Sequence, residues 1–139
     1  MKVIIVGAGN LGLRVVNKLV NRKDNELVLV DNDEKRCDEL SKKLEALVIC
    51  GDGTDPEILK KAQINEADAL VASTGSDPIN TVIAMLGDRF NVDTIIVKLD
   101  GTGLRSACEA IGVKAVITPK LAAAVNIESA LYGLDRIYF

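Results

Sequence analysis

Six short apolar runs, separated by longer amphipathic stretches, leave this chain of 139 residues very few folds to choose from. The runs cover residues 3–6, 27–30, 47–50, 69–72, 95–99 and 115–117. Each is rich in β-branched residues and is bounded by Gly, Asp, Asn or Pro, the pattern of a buried strand. Helical periodicity occupies residues 10–21, 33–44, 56–62, 78–90 and 104–111, and again 120–131. Asp33 is placed to cap the second helix. Asp55 before Pro56 and Asp77 before Pro78 each read as an N-cap followed by proline at the first helical position. Gly112 stands where a left-handed C-cap is expected. Strand–helix alternation repeated six times predicts a parallel sheet covered by helices on both faces, with right-handed crossovers. The expected architecture is a Rossmann-type doubly wound α/β fold, six strands in order 3-2-1-4-5-6, divided into two halves near residues 65–67. One dinucleotide-binding domain over residues 1–139 uses up the whole pattern, with no linker or second domain.

The loop after the first run carries the first chemical signal. Residues 7–12 read GAGNLG, following a strand and opening a helix, which is the context that gives the glycine spacing meaning. Gly7 would make the tight turn, Gly9 would let backbone approach a pyrophosphate, and Gly12 would allow close helix–strand packing. The amides of Asn10 and Leu11 would then point at phosphate oxygens. Asp31, at the end of the second run, lies where an acid holds ribose hydroxyls; its charge would repel a 2′-phosphate and so favours NAD over NADP. Arg36 and Lys35, a turn further on, read as a solvated helix face. Asp52, in "CGDGTD", stands at the adenine end, where turn residue and adenine ligand are equally good readings. In "ASTGSDPIN", Ser73, Thr74 and Gly75 could line the second ribose and nicotinamide side, with Asn80 bracing the loop; an ordinary capped turn competes. Lys98 ends the fifth run, where it could meet phosphate, ribose or a rim acid such as Asp100.

Composition excludes several alternatives. The net charge is −3 with acids and bases interspersed, so no basic face is offered to nucleic acid. The aromatics are only Phe90, Tyr132, Tyr138 and Phe139, too few to stack bases. No apolar run reaches the roughly 18 residues of a membrane span, and the first strand begins too early to leave room for a signal peptide. Cys37, Cys50 and Cys108 lie far apart in sequence without CxxC spacing, which predicts buried or half-buried free thiols in a reducing cytoplasm. The chain has no histidine, which removes the commonest general base and metal ligand. With both tyrosines in the C-terminal "ALYGLDRIYF" and no room for a substrate domain, hydride-transfer chemistry is not expected.

Taken together, GAGNLG, "VLVDND", "ICGDGTD", "ASTGSDPIN", "IIVKL" and "VITPKLAAA" make the chain resemble the TrkA N-terminal domain, also called the KTN or RCK domain, over essentially its full length. That resemblance implies a cytoplasmic regulator of potassium transporters and channels, peripheral to the inner face of the membrane through its transporter partner. It implies binding of NAD(H), as NAD⁺ or NADH, or of ATP or ADP in some relatives, and assembly into dimers or higher rings. By position, the family's phosphate loop falls on Gly7, Ala8, Gly9, Asn10 and Leu11. Its ribose acid falls on Asp31, its adenine-side acid on Asp52, and its nicotinamide-facing loop on Ser73 and Thr74. The family's usual Arg after strand five is Lys98 here, which keeps the charge and loses the bidentate fork. Pro119 matches, but the acid that often follows it is Lys120. The family's C-terminal ligand-binding subdomain has no counterpart in these residues. Independently, Leu121, Ala122, Ala124, Val125, Ile127, Ala130, Leu131 and Leu134 wrap more than one face of the last helix, which suggests a subunit contact; a helix packed deeply against its own sheet and one made to meet a partner domain are the competing readings.

Overall fold

The computed structural model describes residues 1–22 and 24–133. All six apolar runs form strands: β1 (Lys2–Val6), β2 (Glu26–Asp31), β3 (Leu47–Cys50), β4 (Ala69–Ala72), β5 (Thr94–Lys98) and β6 (Ala115–Ile117). Each is followed by a helix: α1 (Asn10–Leu19), α2 (Glu34–Lys43), α3 (Pro56–Lys61), α4 (Asp77–Arg89), α5 (Arg105–Ile111) and α6 (Pro119–Leu131). A short 3-10 turn, Ile64–Glu66, sits where the two halves were expected to meet. All strand pairs are parallel, and the sheet order is β3-β2-β1-β4-β5-β6.

Strand periodicity divides the core between two faces. Ile4, Val6, Val28, Val30, Leu70 and Ala72 face α3, α4 and α5, where Leu59, Ile83 and Cys108 complete one cluster. Val3, Ile5, Leu27, Leu29 and Ala69 point the other way, onto Val16 of α1 and Leu40 of α2. Strands buried on both faces need continuous apolar sequence, which is why these runs lack the alternation of half-exposed strands. Each fully buried Ile or Leu, such as Ile4, Ile5 or Leu29, stabilises the fold by about 1.5–3 kcal/mol.

Local capping follows the sequence at three of four positions. The Asp33 carboxylate accepts from the amides of Lys35 and Arg36, and Asp55 accepts from Glu57 N. Gly112 takes φ +90° after α5. Asp77 departs from expectation. Ser76 is the N-cap of α4, its hydroxyl accepting from Ile79 N, so Pro78 occupies the second helical position. Asp77 is thereby released for a different task, described below.

The last helix is the least embedded. Leu121, Ile127 and Leu131 are 57%, 62% and 78% exposed, and Ser129 is its one buried residue among those described. No residue of α6 joins either core cluster. On α4, Ile79, Val82 and Met85 recur at threefold spacing and are also exposed. Leu134, grouped above with the last helix, and Tyr138 and Phe139 lie outside the described residues. Among the described residues, no helix is long and apolar enough to cross a membrane.

Candidate nucleotide-binding site

Between β1 and β4 the strand order reverses, and the loops leaving their carboxyl ends diverge. There a cavity of about 680 Å³ opens, within the usual range for small-molecule sites. All ten residues predicted for the site line it.

Its floor is a seam between the two halves. Gly7 has φ +107°, and a Cβ there would lie 2.7 Å from the backbone carbonyl of Ser73. Ser73 N donates to Val6 O at 2.9 Å. Its hydroxyl donates to Val6 O or Gly7 O, at 3.2 and 3.3 Å. The Ser73 hydroxyl expected to face a ligand is therefore committed to joining the two loops. Gly12 closes the seam from above: a Cβ there would lie 2.0 Å from Gly7 O.

Gly9 differs from both. Its φ is −73°, open to any residue, and an added Cβ would meet nothing within 4 Å. Neither backbone conformation nor packing within the protein calls for glycine at Gly9. Gly9 is also the N-cap of α1, where no side chain accepts from the first-turn amides and no acid lies in that turn. Side chains cap α2, α3 and α4, whereas α5 and α6 lack such a cap as α1 does; α1 is set apart by the glycine at its start, with open space around it at the cavity. The amides of Asn10 and Leu11 have no acceptor within their own helix, and with the helix dipole they leave partial positive charge at the cavity edge.

Asp31 is 5% exposed and well partnered. Oδ2 accepts from Ala8 N at 2.8 Å and from the Arg36 guanidinium at 3.2 Å, and Oδ1 accepts from Asp33 N at 3.0 Å. Arg36 is thus an ion-pair partner lining the cavity, not the solvated face expected. The pattern i to i+5 across a cap loop is not a helix-surface spacing, so periodicity did not reveal it. A carboxylate offers about four lone-pair sites; three are taken, and one remains for a ligand hydroxyl. The guanidinium also offsets the charge that had been expected to exclude a 2′-phosphate.

Asp52 serves its turn: Oδ1 accepts from both Thr54 N and Thr54 Oγ1, at 2.9 and 2.7 Å. Those two bonds, the backbone one first, hold its carboxyl below the usual range. Oδ2 receives neither. Asn80, fully buried, braces the opposite loop as expected. Its Oδ1 accepts from Thr74 N and Thr74 Oγ1, and its Nδ2 donates to Thr74 O and Lys98 O. Thr74 Oγ1 is occupied by this network, so the loop presents its backbone and Gly75 to the cavity. Gly75, like Gly9, has nothing within 4 Å of an added Cβ.

Lys98 lines the cavity half-buried and forms no ion pair with Asp100 or any other acid among the described residues. Lys120 joins it at the rim. Asp77 clasps the neighbouring loop instead of capping α4: Oδ1 accepts from Asp100 N and Oδ2 from Gly101 N, both at 2.8 Å. These amides, helped by the charges of Lys98 and Lys120, hold its carboxyl below the usual 3.8. A carboxylate depressed by folding adds stability above its ordinary pKa and loses it as pH falls through the folded value. Asp77→Asn is therefore expected to be less stable than the parent near neutrality. The gap should narrow below the ordinary carboxylate value of 3.8 in urea titrations; a gap independent of pH would refute the clasp.

Sequence reading missed Gly53, where a Cβ would lie 2.4 Å from Val6 Cγ1, and Ile79, which lines the cavity from α4. It also missed a thiol contact. Cys37 donates to Asp31 O at 3.2 Å, and Cys50 stands beside Asp31 on the neighbouring strand. Cys50 is exposed, where a buried or half-buried thiol was expected. No group of three or more metal-ligating His, Cys, Asp or Glu is present among the described residues.

Comparison with known proteins places this arrangement. The TrkA-N domain model matches residues 3–119. A Trk system potassium uptake protein TrkA homolog of Methanothermobacter thermautotrophicus is 34% identical over 131 residues, which is 94% of this chain. The chain spans 60% of that relative's length. The TrkA-N domain of the inner membrane protein ybaL from Escherichia coli shares the fold, with TM-score 0.86 and 21% identity over 94% of this chain and 96% of that one. So does the GsuK channel bound to NAD, with TM-score 0.77 and 20% identity over 91% of this chain and 23% of that one. The Shewanella denitrificans Kef CTD in its AMP-bound form gives TM-score 0.80 and 22% identity, covering 98% and 83%. A family match over residues 3–119, on a sheet with this order and this glycine loop, shows that the chain belongs to the TrkA-N domain family.

Proposed function

We propose that this chain is the nucleotide-sensing module of a regulator of potassium transport, binding NAD(H) in the cavity at the strand reversal. The observation that carries the reading is the uncapped start of α1 beside the empty Cβ position of Gly9. Glycine there serves no purpose inside the protein, whereas a pyrophosphate lying on the amides of Gly9, Asn10 and Leu11 would require it. Gly7 and Ala8 would hold that loop in place. Asp31 would accept a ribose hydroxyl at its remaining lone pair, and Asp52 Oδ2 the adenine amino group. The backbone around Ser73 and Thr74, with Gly75, would face the nicotinamide side. Lys98 would meet phosphate or the second ribose.

The names of the relatives support a role in potassium transport. Coupling needs a route from ligand to neighbour, and Ile79 offers one. It lines the cavity, and it also begins the exposed apolar row continued by Val82 and Met85. With the exposed leucines of α6, that row would be covered in a homodimer or ring set beneath a membrane transporter. A ligand preferred by one subunit arrangement would shift the assembly toward it. The reading is of regulation rather than catalysis, supported by a cavity whose ionisable lining groups among the described residues are Asp, Lys and Arg, in a chain without histidine.

Calorimetry comparing NADH, NAD⁺, ATP and ADP tests the reading. Binding of a dinucleotide with no turnover is the expected result. Tighter binding of ATP or ADP would replace it with the mononucleotide sensor that AMP- and ADP-bound fold neighbours suggest. Turnover with a hydride donor would revive an oxidoreductase.

A further inference from the structure

Cys37 lies in the first turns of α2, and Cys50 ends β3. Parallel pairing sets Cys50 directly beside Asp31. The Cys37 thiol reaches the same residue from the helix side and donates to its carbonyl at 3.2 Å. Both thiol-bearing residues are thus gathered around the residue that would hold the ribose, on the α2 side of the sheet. We propose that Cys37 and Cys50 are a redox-active dithiol that closes to an intrachain disulfide and thereby weakens nucleotide binding.

The two thiols are unlike in a way that suits them to different steps. Cys50 is exposed and meets an oxidant first. Cys37 is buried, and its thiol is pushed up to about 12, by burial above all and then by its contact with Cys50. It therefore stays protonated and acts second. With a peroxide as oxidant, the Cys50 thiolate attacks one peroxide oxygen. An S–O bond forms, the O–O bond breaks, and the departing hydroxide takes up the proton that Cys50 lost. Cys37 sulfur then attacks the sulfenic sulfur of Cys50. The S–S bond forms, the S–O bond breaks, and hydroxide leaves with the Cys37 proton as water. Two thiols and one hydrogen peroxide give one disulfide and two waters; sulfur is oxidised and peroxide oxygen reduced.

Closure consumes the hydrogen that Cys37 gives to Asp31 O and draws the start of α2 toward β3. Arg36 and the Asp33 cap move with that helix, so the setting of the Asp31 carboxylate changes. This second half rests on the functional reading above; the disulfide itself does not. Cys108, fully buried on the opposite face beside Thr81, is an internal control.

The protein is treated with limiting hydrogen peroxide, quenched, denatured and alkylated, then read by mass spectrometry. The expected product carries a single alkyl label, on Cys108, and yields a peptide linked through Cys37 and Cys50. Cys50→Ser should keep Cys37 alkylated after the same treatment. Labels on all three thiols, a sulfinic acid at Cys50 with Cys37 still free, or a disulfide between two chains through Cys50 would overturn the site. Calorimetry with NADH then compares the oxidised and reduced protein. A loss of about fivefold or more in affinity, reversed by dithiothreitol and absent in Cys50→Ser, is expected. Equal affinities would overturn the regulatory half. If the reduced protein bound no NADH, the functional reading would fail, and the label count would still decide the disulfide.

Discussion

Gly12→Ala is expected to unfold the domain or cost it on the order of 4 kcal/mol, whereas Gly9→Ala should leave stability within about 0.5 kcal/mol of the parent. The two glycines sit three residues apart, Gly9 at the N-cap of α1 and Gly12 inside its first turn, yet their surroundings are opposite. At Gly12 the added carbon would lie 2.0 Å from the carbonyl oxygen of Gly7, a backbone atom that cannot swing aside. Relief requires lifting α1 off β1, and that strips Val16 from its cluster with Ile5 and Leu29. Moving Gly7 is no easier, because its own position is fixed against Ser73. At Gly9 the same carbon meets open cavity and a permitted φ of −73°. Its cost should appear only in binding, as a loss of about tenfold to a hundredfold in nucleotide affinity, or 1.4–2.8 kcal/mol. Thermal denaturation and calorimetry on the two variants separate the effects. A Gly9→Ala protein that binds NADH as well as its parent would remove the phosphate-loop assignment.

Asp31 should give the second large effect, and here stability and binding must be pulled apart. Asp31→Ala orphans the amide of Ala8, a residue 1% exposed, together with Asp33 N and the Arg36 guanidinium. A buried donor left without an acceptor costs about 1–3 kcal/mol, so the alanine variant should be destabilised and bind poorly. Asp31→Asn is the cleaner probe. Its amide oxygen can still accept from Ala8 N; its NH2 then replaces the acceptor of Asp33 N, an exposed residue whose amide can be hydrated, and Arg36, whose side chain is 46% exposed, can turn to water at little cost. The asparagine variant should therefore keep stability within about 1 kcal/mol of the parent. It should lose about tenfold in affinity for NADH and discriminate less against NADPH. Chemical denaturation and paired titrations with the two cofactors check this. Unchanged NADH affinity in Asp31→Asn would remove the ribose contact.

The architecture was legible in the sequence because parallel strands buried on both faces write themselves as unbroken apolar runs. The reversal point and its glycine loop follow from the order of those runs. Local caps were legible where a side chain serves its own helix, as Asp33 and Asp55 do. Asp77 was misread because the amides it accepts from, Asp100 and Gly101, are 23 and 24 residues away. With that carboxylate engaged elsewhere, Ser76 caps the helix. Arg36 was misread for a related reason: the chain turns between β2 and α2, and helical periodicity says nothing about what lies across such a turn. That Cys37 and Cys50 meet at the same residue depends on the register of β2 against β3, which spacing along the chain does not encode. Lys98 was placed at the cavity from its strand position, while the ion pair offered for it is not formed among the described residues.

The seam of Gly7 against Ser73 bears on how the molecule can move. Backbone in contact with backbone, stitched by the Ser73 amide and hydroxyl, leaves the floor of the cavity no slack. The two half-sheets meeting there behave as one plate, so a ligand cannot open or shut the fold like a book. The parts left to respond are those fastened at the rim, the start of α2 and the loop after β5, while the start of α4 is held by the buried Asn80. A signal from this site would then be mechanical leverage about a fixed fulcrum: small tilts of rim elements, read outside as larger displacements at the far ends of their helices.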